Sequence, residues 1–378
     1  MKTNTALVAM SGGVDSTVAA LLAINEGVEC QGVTMIIDGS MEKDTRDTNG
    51  RDTNGRDVSA RDFNASDLSA IRKGSDIAVD AKRAAAQLGI ELHVLDLSKD
   101  FAKDVIEYFI EEYRNGRTPN PCVRCNKRIK FKKLLEKADQ LGVEYLLTGH
   151  YARIQQEDSG RYLLKKGLDE AKDQSYSLYT LGQEQLARLR FPLGEYTKSI
   201  VRELALDAGL DCANKSESQD ICFIPDGDYG KFIEEYIGEH AIRGRFIDCD
   251  GRDLGEHRGI IHYTIGQRRG LGLAMTHPPY VVDICPEDNT IVVGRNELLY
   301  SKSLDAGEIN LLAVDRLETA IDAKAKIRYN QREQPARIWQ RDENTLHIEF
   351  VEAQRAITKG QSVVIYDGDV VIGGGIIM

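Results

Sequence analysis

Over the first half of the chain, apolar and polar positions alternate in blocks. Ala6-Leu-Val-Ala-Met10 is a short apolar run, and Thr17-Val-Ala-Ala-Leu-Leu-Ala23 follows a Gly-Gly turn at helical length. Val33-Thr-Met-Ile-Ile37 predicts a second strand, Asp80 to Leu88 a helix stopped by Gly89, and Glu91 to Leu97 a third strand. Phe101 to Asn115 carries Val105, Phe109, Ile110 and Tyr113 at helical spacing and ends at Gly116. Asn126 to Leu141 predicts a basic helix, and Tyr145-Leu-Leu-Thr-Gly-His150 a strand running into a Gly-His loop. Such alternation predicts an α/β fold, a doubly wound parallel sheet with helices on both faces and ligands at the carboxyl ends of its strands.

After residue 212 the pattern changes. Tyr280-Val-Val-Asp-Ile284, Thr290-Ile-Val-Val293, Leu346-His-Ile-Glu-Phe350, Ser362-Val-Val-Ile-Tyr366 and Val370-Val-Ile372 are short runs separated by turn residues. Asp367-Gly-Asp369 reads as a hairpin turn. The expected layout is a nucleotide-binding unit over 1–212, a small mixed unit over 213–284 and an antiparallel β-barrel over 285–378. A five-residue repeat from Arg46 to Ala70 interrupts the first unit, with Thr48, Thr53, Val58, Phe63 and Leu68 in equivalent places. It resembles pentapeptide repeats, but five units make little more than one coil. The stretch 40–74 therefore reads as a polar, largely disordered insertion.

The chain has 378 residues, 42% hydrophobic and 29% charged, enough for two or three domains. No apolar run reaches membrane-spanning length, and Met1-Lys-Thr-Asn-Thr5 leads straight into a strand, so the cytoplasm is the expected compartment. There, seven cysteines are expected as thiols, ligands or catalysts rather than disulfides. A net charge of −11 excludes a uniformly basic nucleic-acid surface but not a local one. Arg124, Lys127, Arg128, Lys130, Lys132 and Lys133 lie together without an acid; by charge alone they read as a solvated helix face.

Three segments carry chemistry. In Ser11-Gly-Gly-Val-Asp-Ser16, Gly12 and Gly13 admit an anion close to the backbone, and Ser11, Ser16 and Thr17 add hydroxyl donors. With the helix N-terminus that follows, this is a phosphate cradle without the lysine of a Walker A loop. Cys122 and Cys125 follow a Pro-Asn-Pro loop and precede the basic helix, where the helix N-terminus, Arg124 and Lys127 are expected to lower a thiol pKa. Half a zinc site, a redox pair, and a nucleophile with a neighbour all fit this spacing; no second Cys-x-x-Cys exists, which makes zinc the weakest. Cys222 lies in Ile221-Cys-Phe-Ile224 and alone would pass for a core thiol.

Ser-Gly-Gly-Val-Asp-Ser resembles the pyrophosphate loop of ATP enzymes that adenylylate a substrate. In addition, Arg117-Thr-Pro-Asn-Pro121, Cys125-Asn-Lys127, Thr148-Gly-His-Tyr151, Lys172-Asp-Gln-Ser175, Ile221-Cys-Phe-Ile224, Thr264-Ile-Gly-Gln-Arg268 and Gly360-Gln361 occur in order. That order resembles the tRNA-specific 2-thiouridylase family over nearly the whole chain. The resemblance implies adenylylation of the C2 oxygen of a tRNA wobble uridine and its replacement by sulfur from a cysteine persulfide. It implies ATP held by Ala9, Met10, Ser11, Gly12, Gly13, Val14, Asp15, Ser16, Met35 and Gly149, with Mg²⁺ expected beside it. Cys125 matches the nucleophile and Cys222 the persulfide carrier, the two expected to meet only in a closed complex. Asn120, Pro121 and Cys122 match the loop that meets the target base. His150, Lys172, Asp173, Gln174, Arg328, Tyr329 and Gln361 match tRNA contacts. Implied partners are tRNAs for Lys, Glu and Gln and a cysteine desulfurase or sulfur-relay protein, acting on a monomer.

The chain departs from the family pattern at Cys122, where well-studied members carry Asp. This thiol either replaces that acid in proton transfer or joins Cys125 and Cys222 around an iron–sulfur cluster; the reactive-thiol pair favours the persulfide route. Rival functions are a small-molecule adenylylating synthetase, against which the cysteine pair and the barrel speak, and a regulatory ATP-binding module on tRNA, which leaves the cysteines idle. Deleting Arg46 to Ala70 is expected to leave thiolation largely intact. A steep rise in the KM for ATP, measured on the purified deletion variant, would show instead that the repeats cover the nucleotide.

Overall fold

The computed structural model describes residues 4–37, 74–215, 221–224 and 226–378; the repeats lie outside the described residues. Strands β1 (Thr5–Ala9), β2 (Glu29–Ile36), β3 (Leu92–Asp96) and β4 (Tyr145–Leu147) alternate with helices, as the apolar blocks predict. A hairpin of β5 (Ala152–Gln156) and β6 (Tyr162–Lys166) follows, then the two-residue β7 (Leu189–Arg190). The parallel sheet has the order β3-β2-β1-β4-β7. Ala6, Leu7 and Val8 in β1 are fully buried because helices cover both faces. Successive connections run in opposite directions from β1, so a crevice opens at the carboxyl ends of β1 and β4.

The middle of the chain forms a four-stranded sheet from β8 (Gly244–Ile247), β9 (Asp253–His257), β10 (Tyr280–Cys285) and β11 (Thr290–Gly294), in the order β10-β11-β8-β9. The expected division between 284 and 285 falls at the end of β10, inside a hairpin: β10 pairs with β11, and β11 returns to β8. Its core of Phe246, Tyr263, Val281, Ile291 and Val293 takes side chains from both sides of that division.

A third sheet comprises β12 (Tyr300–Leu311), β13 (Ile321–Lys326), β14 (Gln334–Asp342), β15 (Thr345–Arg355), β16 (Ser362–Asp367) and β17 (Val370–Ile377). Their order, β12-β15-β14-β13-β16-β17, closes because β12 also pairs with β17. Ile338, Leu346, Ile348, Val363 and Ile365 fill the antiparallel barrel. The β5–β6 hairpin joins it through β6 and β17, with Arg153 and Lys165 both paired to Asp369. Among the described residues, no helix is long and apolar enough to cross a membrane.

Candidate active site

Ser11 to Ser16 forms a tight loop between β1 and the helix Val14–Asn25. The Ser16 hydroxyl accepts from the Ser11 N–H at 3.1 Å, and the Thr17 hydroxyl donates to the Gly13 carbonyl at 2.8 Å. Gly12 has φ +71°, and a Cβ there would sit 2.4 Å from the Asp80 backbone, so only glycine fits. A Cβ on Gly149 would lie 2.8 Å from the Ser16 nitrogen, which explains why the loop after β4 can close against the helix start. Gly13 offers no side-chain cap, so the first helical N–H groups keep their capacity for an anion. Met10 is buried and bonds Val33 through its backbone, while Ala9 and Met35 are half-buried at the crevice.

Asp15 is engaged in a way the sequence did not predict. Its carboxylate accepts from Lys198 Nζ at 2.7 and 2.9 Å and from the Tyr151 hydroxyl at 2.7 Å. Lys215 sits on the loop's other side, donating to the Gly12 carbonyl at 3.3 Å and pairing with Asp80 at 2.6 Å. Both lysines lie roughly two hundred residues from the loop, beyond the reach of a local motif. The signal available was only their basic character.

The second centre is built on the stretch 121–141. Asn120 caps its start, its Oδ1 accepting from the N–H groups of Cys122 and Val123 at 3.1 and 3.2 Å, with Pro121 in the first turn. Helix Pro121–Cys125 then passes into a π turn, Asn126–Lys130, held by Asn126 Nδ2 donating to the Ser177 carbonyl at 2.9 Å. Ile221, Phe223 and Ile224 pack into the cluster that receives Ile129 and Cys125; Phe223 meets Phe101 and Phe109 edge-on at 5.5 Å each. These anchors leave Cys222 exposed beside the other two thiols, near enough that the charged forms of Cys122 and Cys125 repel its own. Cys125 and Cys222 thus lie in one neighbourhood, both as free thiols.

Expected thiol activation is reversed in this state. The surrounding protein withholds solvent and pushes the Cys222 thiol up to about 12, and burial likewise raises Cys122 and Cys125. Arg124 does not reach the thiols; it donates to the Asp104 carbonyl at 3.0 Å and lies over the Tyr108 ring at 4.3 Å. The helix N-terminus is spent on Asn120. Among the described residues, no three His, Cys, Asp or Glu side chains are arranged to hold a metal ion. In this state the Asp15 carboxylate is occupied by Lys198 and Tyr151.

The barrel completes the site. Gln361 Nε2 donates to the carbonyls of Thr118 and Pro119 at 2.9 and 3.2 Å. Tyr329, 39% exposed, sits near enough to Cys122 to feel its charge and meets Tyr176 edge-on at 6.0 Å. Arg328 is turned inward, donating to the Ala356 carbonyl and the Thr358 hydroxyl. Several residues matched to tRNA contacts serve packing here. Asp173 accepts from Ser175 and the Gly167 N–H, and Gln174 from the Tyr151 N–H. His150 is 8% exposed, bonded to Thr148 at 2.6 Å and set between Phe131 and Phe191. Burial first and then the Lys130 charge hold its pKa well below the ordinary histidine range. Lys172 is half-buried on the same loop.

A family model described as tRNA methyl transferase HUP domain matches residues 4–226. The tRNA methyl transferase PRC-barrel domain matches 230–295, and the aminomethyltransferase beta-barrel domain matches 301–377. A tRNA-specific 2-thiouridylase MnmA of Clostridioides difficile is 46% identical over 98% of this chain and 97% of its own. Another, MnmA 1 of Caldanaerobacter subterraneus, is 49% identical over 99% and 98%. The chain belongs to the tRNA-specific 2-thiouridylase family. A third member, from Carboxydothermus hydrogenoformans, is 48% identical over 98% of this chain and 96% of its own.

In this 2-thiouridylase, the pairing of Asp15 has a measurable consequence. Lys198 is only 12% exposed at its side chain, so Asp15→Asn leaves a largely buried ammonium facing a neutral amide. The variant is expected to lose about 2 kcal/mol of stability, read as a lower Tm, together with slower pyrophosphate release. Wild-type melting would show that the pair contributes nothing to the fold.

Proposed function

We infer that the protein is an ATP-dependent tRNA-uridine 2-sulfurtransferase that replaces the C2 oxygen of the wobble uridine with sulfur. The observation that carries this reading is the anchoring of Cys222 beside Cys125 at the foot of the Pro-Asn-Pro loop. In this reading ATP lies with its phosphates on Ser11 to Ser16 and the adjoining N–H groups of the 14–25 helix. The uridine O2 attacks the α-phosphorus and expels pyrophosphate, which converts a poor leaving group into AMP. The terminal sulfur of a Cys222 persulfide then attacks C2, and AMP departs with the C2–O electron pair. The Cys125 thiolate attacks the Cys222 sulfur, breaking the S–S bond, so that the terminal sulfur stays on C2 and a Cys125–Cys222 disulfide forms. An external thiol reduces that disulfide before the next cycle.

The same reading assigns roles around the centre. Asn120 and Pro121 shape the loop that receives the base, and Tyr329 offers an aromatic edge beside Cys122. Cys122, raised by burial, is protonated at neutral pH and therefore suited to give a proton rather than take one. Gln361 and Arg328 act by holding the barrel and its loops. The sulfur donor is a cysteine desulfurase or relay protein, the tRNAs those for Lys, Glu and Gln, and the enzyme a cytoplasmic monomer.

Mass analysis of tRNA nucleosides from a deletion strain tests the function directly. The wild-type gene should restore 2-thiouridine and Cys222→Ser should not, while the purified variant binds ATP and tRNA nearly as wild type does. Retained 2-thiouridine with Cys222→Ser would remove Cys222 from the route.

Cys122→Asp is expected to stay within about tenfold of wild-type activity, because the burial that raises the thiol also raises a carboxyl at that position and lets it give a proton. Iron bound stoichiometrically in anaerobically prepared enzyme, and required for thiolation, would overturn that assignment.

A further inference from the structure

The three thiols share one neighbour that the mechanism above leaves unused. Lys130 is the last residue of the π turn Asn126–Lys130, in which the Phe131 N–H bonds the Asn126 carbonyl. On a regular α-helix, a residue five positions on points about 140° away. The π turn takes up the extra residue and brings Lys130 back toward the face of Cys125. Cys125 and Lys130, five positions apart, are thereby placed toward one side of the helix. The side chain is half-buried, and among the described residues no carboxylate pairs with it.

Its basic neighbours face elsewhere. Lys133 pairs with Asp100 at 2.9 Å, Arg124 is spent on the Asp104 carbonyl and Tyr108, and Arg128 and Lys132 point to solvent. Lys127 is half-buried and feels Glu308, Arg128 and Arg124, not the thiols. From the other packed elements, His150 and Tyr329 face the centre, the histidine held neutral and the tyrosine a neutral phenol. Among the described residues, Lys130 is the only cation whose charge lowers the thiol pKa of Cys122, Cys125 and Cys222 alike, against the burial that raises them.

We propose that Lys130 is a positioning residue for sulfur transfer, a fixed positive charge that the π turn holds over the sulfur anions of Cys125 and Cys222. Resting on the sulfurtransferase reading, this assigns one cation to successive anions: the persulfide that attacks C2, then the thiolate that releases it. A half-buried ammonium without an acid partner suits that task, since an ion-paired lysine would present no net charge.

The test is cysteine-resolved alkylation by iodoacetamide, followed by mass spectrometry across pH 7 to 10, on the full chain without tRNA. Losing the cation lowers the thiolate fraction, and the higher nucleophilicity of the weaker acid returns part of the lost rate. Lys130→Met, which keeps the apolar stem, should therefore react about threefold to fivefold more slowly at Cys125 and Cys222 at pH 8. The slowing should persist across the pH range, Lys130→Arg should restore the wild-type rates, and Cys30 and Cys285 should be unchanged. Lys130→Gln repeats the measurement should the Met variant fold poorly. Unaltered profiles at Cys122, Cys125 and Cys222 in either neutral variant would overturn the proposal, even where thiolation falls. The function itself fails separately, if wild-type enzyme makes no 2-thiouridine while the alkylation effect stands.

Discussion

Everything at the sulfur centre hangs on a shortage of hydrogen-bond donors in the loop that bears it. Thr118-Pro-Asn-Pro121 contains two prolines, which supply no N–H, so its carbonyls need partners from outside. The barrel provides them: Gln361 reaches both the Thr118 and Pro119 carbonyls, and the Lys359 carbonyl takes the Thr118 N–H. With its backbone satisfied from one side, the loop can spend the Asn120 side chain on the helix that carries Cys122 and Cys125. The C-terminal barrel is thereby the scaffold of the loop that precedes Cys122 and Cys125.

The two centres solve opposite electrostatic problems. The loop after β1 must keep positive potential for phosphate, yet its own carboxylate, Asp15, is neutralised by Lys198 from a distant helix. Around the cysteines the difficulty is burial, which raises every thiol. A fixed cation and a local change of helical pitch answer that difficulty without opening the site to water.

How much of this was legible depended on whether the determinant was local. The Ser11–Ser16 cradle could be read because Gly12 and the adjoining strand and helix lie together in sequence, and the 362–377 hairpin because Asp367-Gly-Asp369 marks its turn. Strand β12 was not foreseen; Asp305, Gly307 and Glu308 break its alternation, Glu308 has φ 45°, and the register slips between Gly307 and Asn310. The β5–β6 hairpin was missed for a different reason, since it gains its stability from β17, some two hundred residues away. The basic run from Arg124 to Lys133 was visible, but which cation meets the thiols depends on a π turn that no spacing rule announces. The reversal of thiol pKa came from burial by Phe223 and its neighbours, equally invisible in the order of residues.

The attachment of the β5–β6 hairpin to β17 also orders events during synthesis. Residues 152–166 leave the ribosome long before residues 370–377, yet their outer edge is complete only when the latter pair with them. The same late segment closes the barrel against β12, and its Ile377 N–H bonds the carbonyl of Gln361, the partner of the Thr118–Pro121 loop. The nucleotide-binding sheet can therefore assemble while the chain is still emerging, whereas the sulfur centre must wait for the tail. A nascent chain with a formed cradle but an unlatched loop is unready for transfer, and the order of translation itself delays the chemistry until the fold is closed.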